Sequence, residues 1–507
     1  MVSYDNLNVT DAPQFNDDIT STEYHTYLPY VSTSLKNDDE IRIPIHHQDL
    51  YTLPSQSYLH IEGKLKKNGA GDFPATTDLV CNAIAFLFSE IRYELNGIVI
   101  DITRNPGITW TLKGYVSYNS LANAEKSDSG WDNSKNWNRT TGYFDVAIPL
   151  SHLLGFCEDF KKILVNIRQE LVLIRSHTNK DALEVTATDN NNKSTDIDLI
   201  RVAWKMPHIS VNDVQRLRLL KTVESDPWLP IGFTQWEMHE YPTLQQTKTH
   251  TWTVKTAAAL ETPRYVILAF QTGKKNKLDK NPSLFDHCQL VNAKLFLNGV
   301  QYPYDNMNLD MTGGRYGTLY RMYSHFQSSF YETEENKPMM NVKDFLEKAP
   351  LVVFDCSRQI EPVKSGSVDI RLEWDTKDDV PAETTAYCLI LHDKVVSYRP
   401  LSGAVRVIFI SGMMFFHVLH YLIRQGDEMN ARSLNIFPRY LFEHQINQEN
   451  DALIQKIFFF GIPFRVHDDF LAERRNVVAE ISFLLLIRAG LDSHIFIGGA
   501  AAASRST

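Results

Sequence analysis

The chain repeats a set of short motifs at a spacing of 202 to 208 residues, and this repetition constrains the fold more than any other feature. Solenoid repeats recur every 20 to 50 residues or so, whereas a spacing near 200 suits a duplicated domain. Two unrelated β-domains with coincidental turns remain an alternative interpretation. The matched motifs, in constant order, are Lys66–Asn68 with Lys274–Asn276, Cys81 with Cys288, Leu95–Gly97 with Leu297–Gly299, and Thr111-Leu112 with Thr318-Leu319.

Between residues 20 and 400 the sequence is typical of short β-strands. Apolar residues alternate with others in Ile41–Ile45, Tyr58–Glu62 and Ile91–Leu95, a period that places one face of a strand in a core. Asn96-Gly97 and Asn298-Gly299 follow apolar runs directly, and Asn-Gly favours a tight hairpin because both residues tolerate positive φ. An aromatic content of 11% also favours β-structure. These patterns predict an all-β fold of sandwich or barrel type.

One helix is predicted between the two halves, over Val211–Lys221. Asn212 or Asp213 would cap it, and an apolar stripe formed by Val214, Leu217 and Leu220 would lean on the sandwiches. The segment Ser120–Gly142, rich in polar residues and glycine, is too long for a hairpin and is interpreted as a surface or contact loop.

The predicted organisation has five parts. They are a disordered N-terminal arm (1–20), a first β-sandwich (21–209), the connecting helix (210–224), a second β-sandwich (225–400) and an apolar C-terminal tail of uncertain structure (401–507).

The tail differs from the rest in its dense apolar runs and its alanine-rich end. We interpret it as sequence joined by a gene-model fusion, with an interaction or membrane-associated segment as the alternative. Val405–Ile423 approaches the length of a membrane span, but Arg406, His417 and His420 interrupt it. We therefore favour no membrane contact through the tail.

Charge and cysteine content narrow the function classes. The net charge is −10, and Asp5, Asp11 and Asp17 make the N-terminal stretch acidic, so we expect no nucleic-acid binding by a basic arm. Five scattered cysteines with no CxxC motif fit a reducing compartment. The N-terminus lacks a signal-peptide pattern, so we expect a protein that is not secreted.

Two side-chain clusters suggest chemistry at first sight. His46-His47 with Asp49 resembles a metal site, but adjacent strand residues point to opposite faces and cannot both chelate. Asp286–Cys288 combines a carboxylate, an imidazole and a thiol, yet neighbouring residues rarely form a nucleophile–base pair, and the repeat places Cys288 opposite Cys81. We expect no catalytic residue, no bound metal, no cofactor and no small-molecule substrate.

Two further patterns are interpreted as ordinary turns. Gly313-Gly314 with Gly317 lacks the strand-then-helix context of a phosphate loop. The lysines could contact nucleic acid, an acidic partner or a membrane, but a solvated turn is the favoured interpretation. These lysines are Lys64, Lys66, Lys67, Lys274, Lys275, Lys277 and Lys280.

Three segments carry a resemblance to a known family: Asn105–Ser117, His152–Lys161 and Arg168–Arg175. Together they resemble the double jelly-roll-like domain proteins encoded in invertebrate genomes. These proteins are similar to the major capsid proteins of adenovirus-like, Polinton-like and large DNA viruses. The resemblance covers residues 20 to 400 and excludes the tail. Its motifs are structural, so it transfers no functional residues.

The resemblance implies two eight-stranded jelly rolls per chain and three chains in a pseudo-hexagonal homotrimer. It implies a structural capsid-type protein, viral or from an integrated viral-like element, with neighbouring shell subunits as partners and a virion or intracellular location. Aromatic residues would supply subunit contacts, with core packing as the alternative for each. A host-adopted carbohydrate- or protein-binding sandwich is the alternative function. The candidate contact residues are Trp131, Trp137, Tyr316, Tyr320 and Tyr323.

Overall fold

Short antiparallel strands dominate the first half of the chain in the computed structural model. The model describes residues 18–30, 35–46, 51–67, 77–131, 137–185, 195–254, 263–333, 337–357 and 369–408. The strands of this half are β1 (Ile19–Tyr27), β2 (Glu40–Ile45), β3 (Tyr51–Thr52), β4 (Tyr58–Lys67), β5 (Thr77–Leu79), β6 (Phe88–Leu95), β7 (Ile98–Arg104), β8 (Tyr143–Pro149), β9 (Leu164–Val165), β10 (Gln169–Arg175), β11 (Leu183–Val185) and β12 (Thr195–Val211). The helices are α1 (Ala83–Phe86), α2 (Pro106–Ser117), α3 (Ala122–Glu125), α4 (Leu150–Leu153), α5 (Gly155–Asp159) and α6 (Asp213–Glu224), with 3₁₀ turns at Pro54–Gln56, Ser127–Ser129 and Lys180–Ala182.

The second half repeats this pattern with fewer insertions. Its strands are β13 (Leu229–Tyr241), β14 (Thr249–Val254), β15 (Pro263–Thr272), β16 (Leu290–Leu297), β17 (Val300–Tyr302), β18 (Val352–Asp355), β19 (Ile370–Thr376), β20 (Thr384–Tyr398) and β21 (Val405–Ile408), and its helices are α7 (Gly317–Phe330) and α8 (Val342–Lys348).

The strand order is the same in both halves. In the first, β1, β12, β4 and β8 lie side by side in one sheet, and β2, β10, β6 and β7 form the other. In the second, β13, β20, β15 and β18 form one sheet, and β14, β19, β16 and β17 form the other. Each half is therefore a sandwich of two antiparallel sheets that share the same order of four strands, to which β3 and β9 in the first half and β21 in the second add further strands. The sequence repeat is thus a structural repeat.

Alternating side chains fill the space between the sheets, as the sequence predicts. In β4, Leu59 and Ile61 are buried, whereas His60 and Glu62 are partly exposed. The ring of Tyr93 meets Trp204 of the opposite sheet edge-on, with centroids 5.5 Å apart. The second core has a comparable contact across its sheets.

That contact joins Phe270 and Trp374, whose ring centroids lie 5.4 Å apart. Both tryptophans are fully buried in their own sandwich. Large aromatic rings bury much apolar surface per residue, so a tryptophan from one sheet stabilises each sandwich core.

Both predicted hairpins are present. Asn96 and Gly97 have φ values of 49° and 81°, and Asn298 and Gly299 have values of 48° and 89°. Two consecutive residues with positive φ match the two-residue turn that suits the twist of paired strands. The turns join β6 to β7 and β16 to β17 at equivalent places in the two sandwiches.

The connecting helix α6 is confirmed, but its predicted packing is wrong. The Asn212 side chain caps it by accepting a hydrogen bond from the Gln215 amide at 2.9 Å. The apolar stripe does not lean on the sandwiches: Val214, Leu217 and Leu220 are all exposed. The apolar stripe makes the segment amphipathic, and this pattern predicted the helix correctly. In the structure, however, the stripe faces away from the rest of the chain.

The element bounds differ from the predicted domain limits at three places. Strand β1 begins at Ile19, inside the segment predicted to be a disordered arm. Strand β12 continues to Val211, beyond the predicted end at 209. Strand β21 pairs with β20 through Val405–Ile408, because β15 pairs with β20 only as far as His392 and leaves that edge of β20 free beyond it. The second sandwich therefore includes residues that the sequence analysis assigned to the tail.

Residues 409–507, most of the predicted tail, lie outside the described residues, as do residues 1–17 of the predicted arm. Within the described ranges, no helix is both long and apolar enough to cross a membrane.

Candidate functional site

The histidine cluster predicted from the sequence is only partly within the described residues. His46 follows β2, while His47 and Asp49 fall outside. In the part of the chain that the structure describes, no three His, Cys, Asp or Glu side chains are grouped closely enough to hold a metal ion.

The Asp286–Cys288 cluster has a structural arrangement. The Nδ1 atom of His287 accepts a hydrogen bond from the Gln289 amide at 3.0 Å, so this nitrogen faces the backbone. Burial raises the pKa of the Cys288 thiol to about 11, which keeps it protonated near neutral pH. Asp286 accepts from the Thr272 amide at 2.8 Å and so fastens a loop to the end of β15.

The glycines at 313 and 314 form a turn around a carboxylate. Asp310 Oδ1 accepts hydrogen bonds from the Gly313 amide and the Thr312 hydroxyl, both at 3.0 Å. These bonds lower the pKa of Asp310. The donors that would meet a phosphate thus already serve an anion of the chain, which supports the turn interpretation.

Most of the lysines from the two repeated clusters make ion pairs within the chain. Lys274 pairs with Asp286 at 2.9 Å and Lys275 with Glu240 at 2.6 Å. The remaining pairs join Lys66 to Asp198 and Lys277 to Glu383. The carboxylates balance these charges, so the lysines are a weak anchor for a polyanion.

The aromatic residues predicted to make subunit contacts mostly pack inside the chain. Trp131 is fully buried and its ring lies so close to Gly114 that a Cβ there would overlap it. Trp137 and Tyr323 are also buried. Tyr320 is partly buried and donates to the Met340 carbonyl at 3.1 Å. Core packing, the alternative interpretation, is therefore correct for these residues.

The residues of greatest interest for function lie instead at the junction between the two sandwiches, where α5 of the first packs on β13 of the second. Gly155 lies against the Thr234 carbonyl oxygen, and a Cβ at that position would overlap it. Beside it, Asp159 accepts from the Thr234 amide at 2.7 Å. Phe156 meets Phe233 edge-on at 5.8 Å. Only glycine permits this close approach of backbone to backbone.

An ion pair of the first sandwich, Lys113 with Glu158, lies at the same junction and contacts the second sandwich. Lys113 of α2 is 3% exposed, and its Nζ lies 2.6 Å from Glu158 Oε2 and 2.8 Å from the Ser151 carbonyl oxygen. Tyr331 of the second sandwich donates to Glu158 Oε1 at 2.8 Å. The Lys113 ammonium also lies 5.2 Å from the centre of the Trp236 ring. Two groups of one sandwich are thus satisfied by two groups of the other.

Hydrogen bonds surround this centre on its α2 side. Tyr115 donates to the Ser283 carbonyl oxygen at 2.8 Å, and the Ser283 hydroxyl donates to the Cys81 carbonyl oxygen at 3.0 Å. Gln327 of α7 donates to the Ser117 carbonyl oxygen at 3.0 Å.

On the opposite side, the first sandwich binds the segment that follows β20. The Val165 amide donates to the Tyr398 hydroxyl at 3.1 Å, and Asn166 donates to the Pro400 carbonyl oxygen at 2.6 Å. Asn96, in the β6–β7 hairpin, donates to the Gly403 carbonyl oxygen at 2.7 Å. The junction therefore spans α2, α5 and β7 and fixes the orientation of the two sandwiches.

A carboxylate held between two imidazoles lies on β13 and β20. Glu237 is 3.4 Å from His239 and 3.3 Å from His392. Burial alone would raise the pKa of Glu237, but hydrogen bonds and charge from the two histidines lower it below its ordinary value. The group is partly buried and links neighbouring strands.

The residues of the junction were not singled out from the sequence. The segment His152–Lys161 contains Gly155, Glu158 and Asp159, but a single sequence does not tell which partner each one meets. The partners on the second sandwich lie more than 70 residues away along the chain.

Two antiparallel sandwiches that share a core of eight strands in the same order, joined in one chain, define a double jelly roll. The chain belongs to the double jelly roll-like domain family, whose model matches residues 77–396.

Solved structures with the same fold come from viruses. A chain of the Sputnik virophage, determined by cryo-EM, is 10% identical with a TM-score of 0.54, and the match covers 86% of this chain and 98% of that one. VP54 of PBCV-1 is 11% identical with a TM-score of 0.52, covering 79% and 99%. A PBCV-1 virus capsid chain is 10% identical with a TM-score of 0.50, also covering 79% and 99%. At this identity the likeness concerns the fold. A search of curated proteins gives no significant match.

Proposed function

We propose that the protein is a structural capsid-type subunit, viral or encoded by an integrated viral-like element, and that three copies form a pseudo-hexagonal tile. The observation that carries this proposal is the junction between two sandwiches of the same strand order. A rigid pair of similar units, repeated around a closed three-fold axis, gives six similar corners that pack in a hexagonal lattice.

Membership of the double jelly roll-like domain family supports the proposal, and so does the similarity to a chain described as part of the PBCV-1 virus capsid. The protein would then reside in a virion or inside the cell that assembles it, with copies of itself and neighbouring shell subunits as partners.

A non-enzymatic role is part of the same proposal. The side chains that suggested catalysis serve structure: the Cys288 thiol has a raised pKa, and His287 accepts from the backbone. The charges of Lys113 and Glu158, both on the first sandwich, satisfy each other beside the junction.

Electron microscopy of the purified protein tests the proposal. We expect particles with three-fold symmetry and a hexagonal outline in class averages. Particles of single-chain size, without symmetry at any concentration, would contradict it. A single chain that bound a glycan or a protein ligand under the same conditions would instead favour the binding-module alternative.

A further inference from the structure

The asparagines of the two hairpins occupy equivalent positions in the two sandwiches. Asn96 and Asn298 each precede a glycine, each has a positive φ, and each is exposed. The backbone amide of Asn96 donates to the Arg168 carbonyl oxygen at 2.9 Å, and that of Asn298 donates to the Asp369 carbonyl oxygen at 3.0 Å. The backbones of the two hairpins are therefore anchored to their sheets in the same way.

The two side chains differ in the atom that makes the hydrogen bond. Asn96 Nδ2 donates to the Gly403 carbonyl oxygen at 2.7 Å, so this carboxamide acts as a donor across the junction. Asn298 Oδ1 accepts from the Asp369 amide at 2.9 Å, so this carboxamide acts as an acceptor within its own sandwich. A carboxylate accepts hydrogen bonds and donates none, so it can replace the Asn298 side chain but not the Asn96 side chain.

An asparagine followed by glycine is especially prone to lose its side-chain amide, because glycine has no Cβ to shield its backbone nitrogen. That nitrogen attacks the asparagine Cγ. A bond from the nitrogen to Cγ forms, the bond from Cγ to Nδ2 breaks, and ammonia leaves with the proton that the glycine nitrogen gives up. Water then opens the resulting succinimide ring to an aspartate or an isoaspartate. The reaction consumes only water and needs no oxidant or reductant.

We propose that Asn96 is a site of spontaneous deamidation, and that its conversion to a carboxylate releases one tie between the two sandwiches. The new carboxylate faces the Gly403 carbonyl oxygen, which is itself an acceptor. Repulsion between two acceptors then replaces the hydrogen bond. The same reaction at Asn298 keeps the acceptor that the Asp369 amide needs, so it leaves the second hairpin intact.

The released tie is close and local. A Cβ at Gly403 would lie 2.9 Å from Asn96 Nδ2, so the hairpin packs directly on the turn that joins β20 to β21. The Gly403 amide donates to the Arg399 carbonyl oxygen at 3.0 Å and closes this turn. The neighbouring bond from Asn166 to the Pro400 carbonyl oxygen, at 2.6 Å, does not involve Asn96. Conversion of Asn96 therefore loosens the turn around Gly403 and leaves the two sandwiches folded.

The two asparagines are expected to react at different rates. The Asp369 amide donates to the Asn298 carbonyl oxygen and draws electrons from Cγ, which makes this carbon a better target for attack. The Asn96 amide group donates instead, which leaves more electron density on Nδ2 and makes it a poorer leaving group. Asn298 should therefore convert first, without effect, and Asn96 later, with an effect on the junction.

Peptide mapping by mass spectrometry tests the chemistry. The folded protein is held in mildly alkaline buffer beside synthetic peptides that span each hairpin, and an isoaspartyl methyltransferase labels the isoaspartate formed. We expect both asparagines to gain the mass difference between an amide and an acid, Asn298 faster than Asn96. An Asn96 that stays unchanged in the protein, while the peptide of the same sequence converts, overturns the site.

Matched variants test the consequence. Asn96→Asp and Asn298→Asp add the same charge at equivalent hairpins, and hydrogen exchange of the Gly403 amide reports on the turn. In Asn96→Asp this exchange is expected to be about tenfold faster than in the wild type, the equivalent of one net hydrogen bond. In Asn298→Asp it is expected to stay unchanged. Asn96→Ala, which removes the donor without adding a charge, should give a smaller increase.

An unchanged exchange rate at Gly403 in Asn96→Asp would overturn the proposed release, whatever the rate at which Asn96 converts. An equal increase in Asn298→Asp would show that added charge, rather than the lost donor, acts on the turn, and would overturn it as well. The contacts lie within one chain, so neither result depends on the proposed trimer.

Discussion

Gly155 and Thr234 meet where the two sandwiches approach most closely, with the carbonyl oxygen of Thr234 in the place of a Cβ. At the scale of single residues, the junction therefore depends on a few positions where a larger side chain does not fit or where no other side chain makes the same contact. Their contribution to stability is measurable, because β13 also has a position with room for an added side chain.

Gly155→Ala should lower the free energy of unfolding by about 1 to 3 kcal/mol, because the added methyl forces backbone apart at the junction. Gly232→Ala is the control, since Gly232 lies on β13 with Thr234 and a Cβ at Gly232 meets nothing within 4 Å. Chemical denaturation of both variants checks the difference. Equal midpoints for the two variants would show that the junction tolerates the methyl.

Lys113→Met removes one partner of the buried ion pair and leaves the Glu158 carboxylate without its cation. We expect a loss of about 3 kcal/mol, the low end for breaking a buried pair, because Glu158 is partly exposed. The double variant Lys113→Met with Glu158→Gln should recover part of that loss. A double variant less stable than Lys113→Met alone would contradict the assignment.

The buried His152 is expected to make the free energy of unfolding decrease in acid. Burial, with the nearby charges of Lys126 and Lys113, lowers its pKa to about 3. An unfolded histidine titrates near 6.5, so between these values the unfolded chain binds a proton that the folded chain does not. Stability should therefore fall as the pH drops below about 6.5, by up to about 1.4 kcal/mol per pH unit.

His152→Phe keeps the ring stacked on Trp110 and removes the titrating group. Unfolding free energies of wild type and variant, measured across the same pH range, should run parallel above about pH 6.5 and separate below it, because only the wild type loses stability in acid through this group. Parallel curves would show that another group carries the acid sensitivity.

At the scale of elements, the hairpins test the duplication. Gly97 and Gly299 both have positive φ, and a Cβ at either site meets nothing within 4 Å. Alanine at each should therefore destabilise through backbone strain alone, by about 1 kcal/mol. Similar losses in thermal unfolding for the two variants are expected. A loss at one hairpin only would show that the turns are not equivalent.

Elements were the level at which the sequence was most informative. Alternation in Ile41–Ile45 and Tyr58–Glu62 predicted strands correctly, and the Asn-Gly pairs predicted both hairpins, because these signals are local. The packing of α6 was predicted wrongly, since an apolar stripe shows that a face is to be covered but not by what. The junction could not be predicted, because Gly155 and Thr234 are distant in sequence and meet only in the folded chain.

At the scale of the whole molecule, the chain contains two sandwiches of the same strand order joined by one junction. The junction fixes the angle between the sandwiches through buried groups such as Lys113, Glu158 and Tyr331. A fixed angle between similar units lets copies add in one direction until the ring closes. The family and the fold agree with that mode of assembly.

The mass of the assembled species is the most direct test of this account. Light scattering coupled to size-exclusion chromatography, run over a wide range of protein concentrations, should give three times the mass of one chain as the smallest stable assembly. A mass of one chain at every concentration would contradict the central claim that the protein is a trimeric, shell-building subunit.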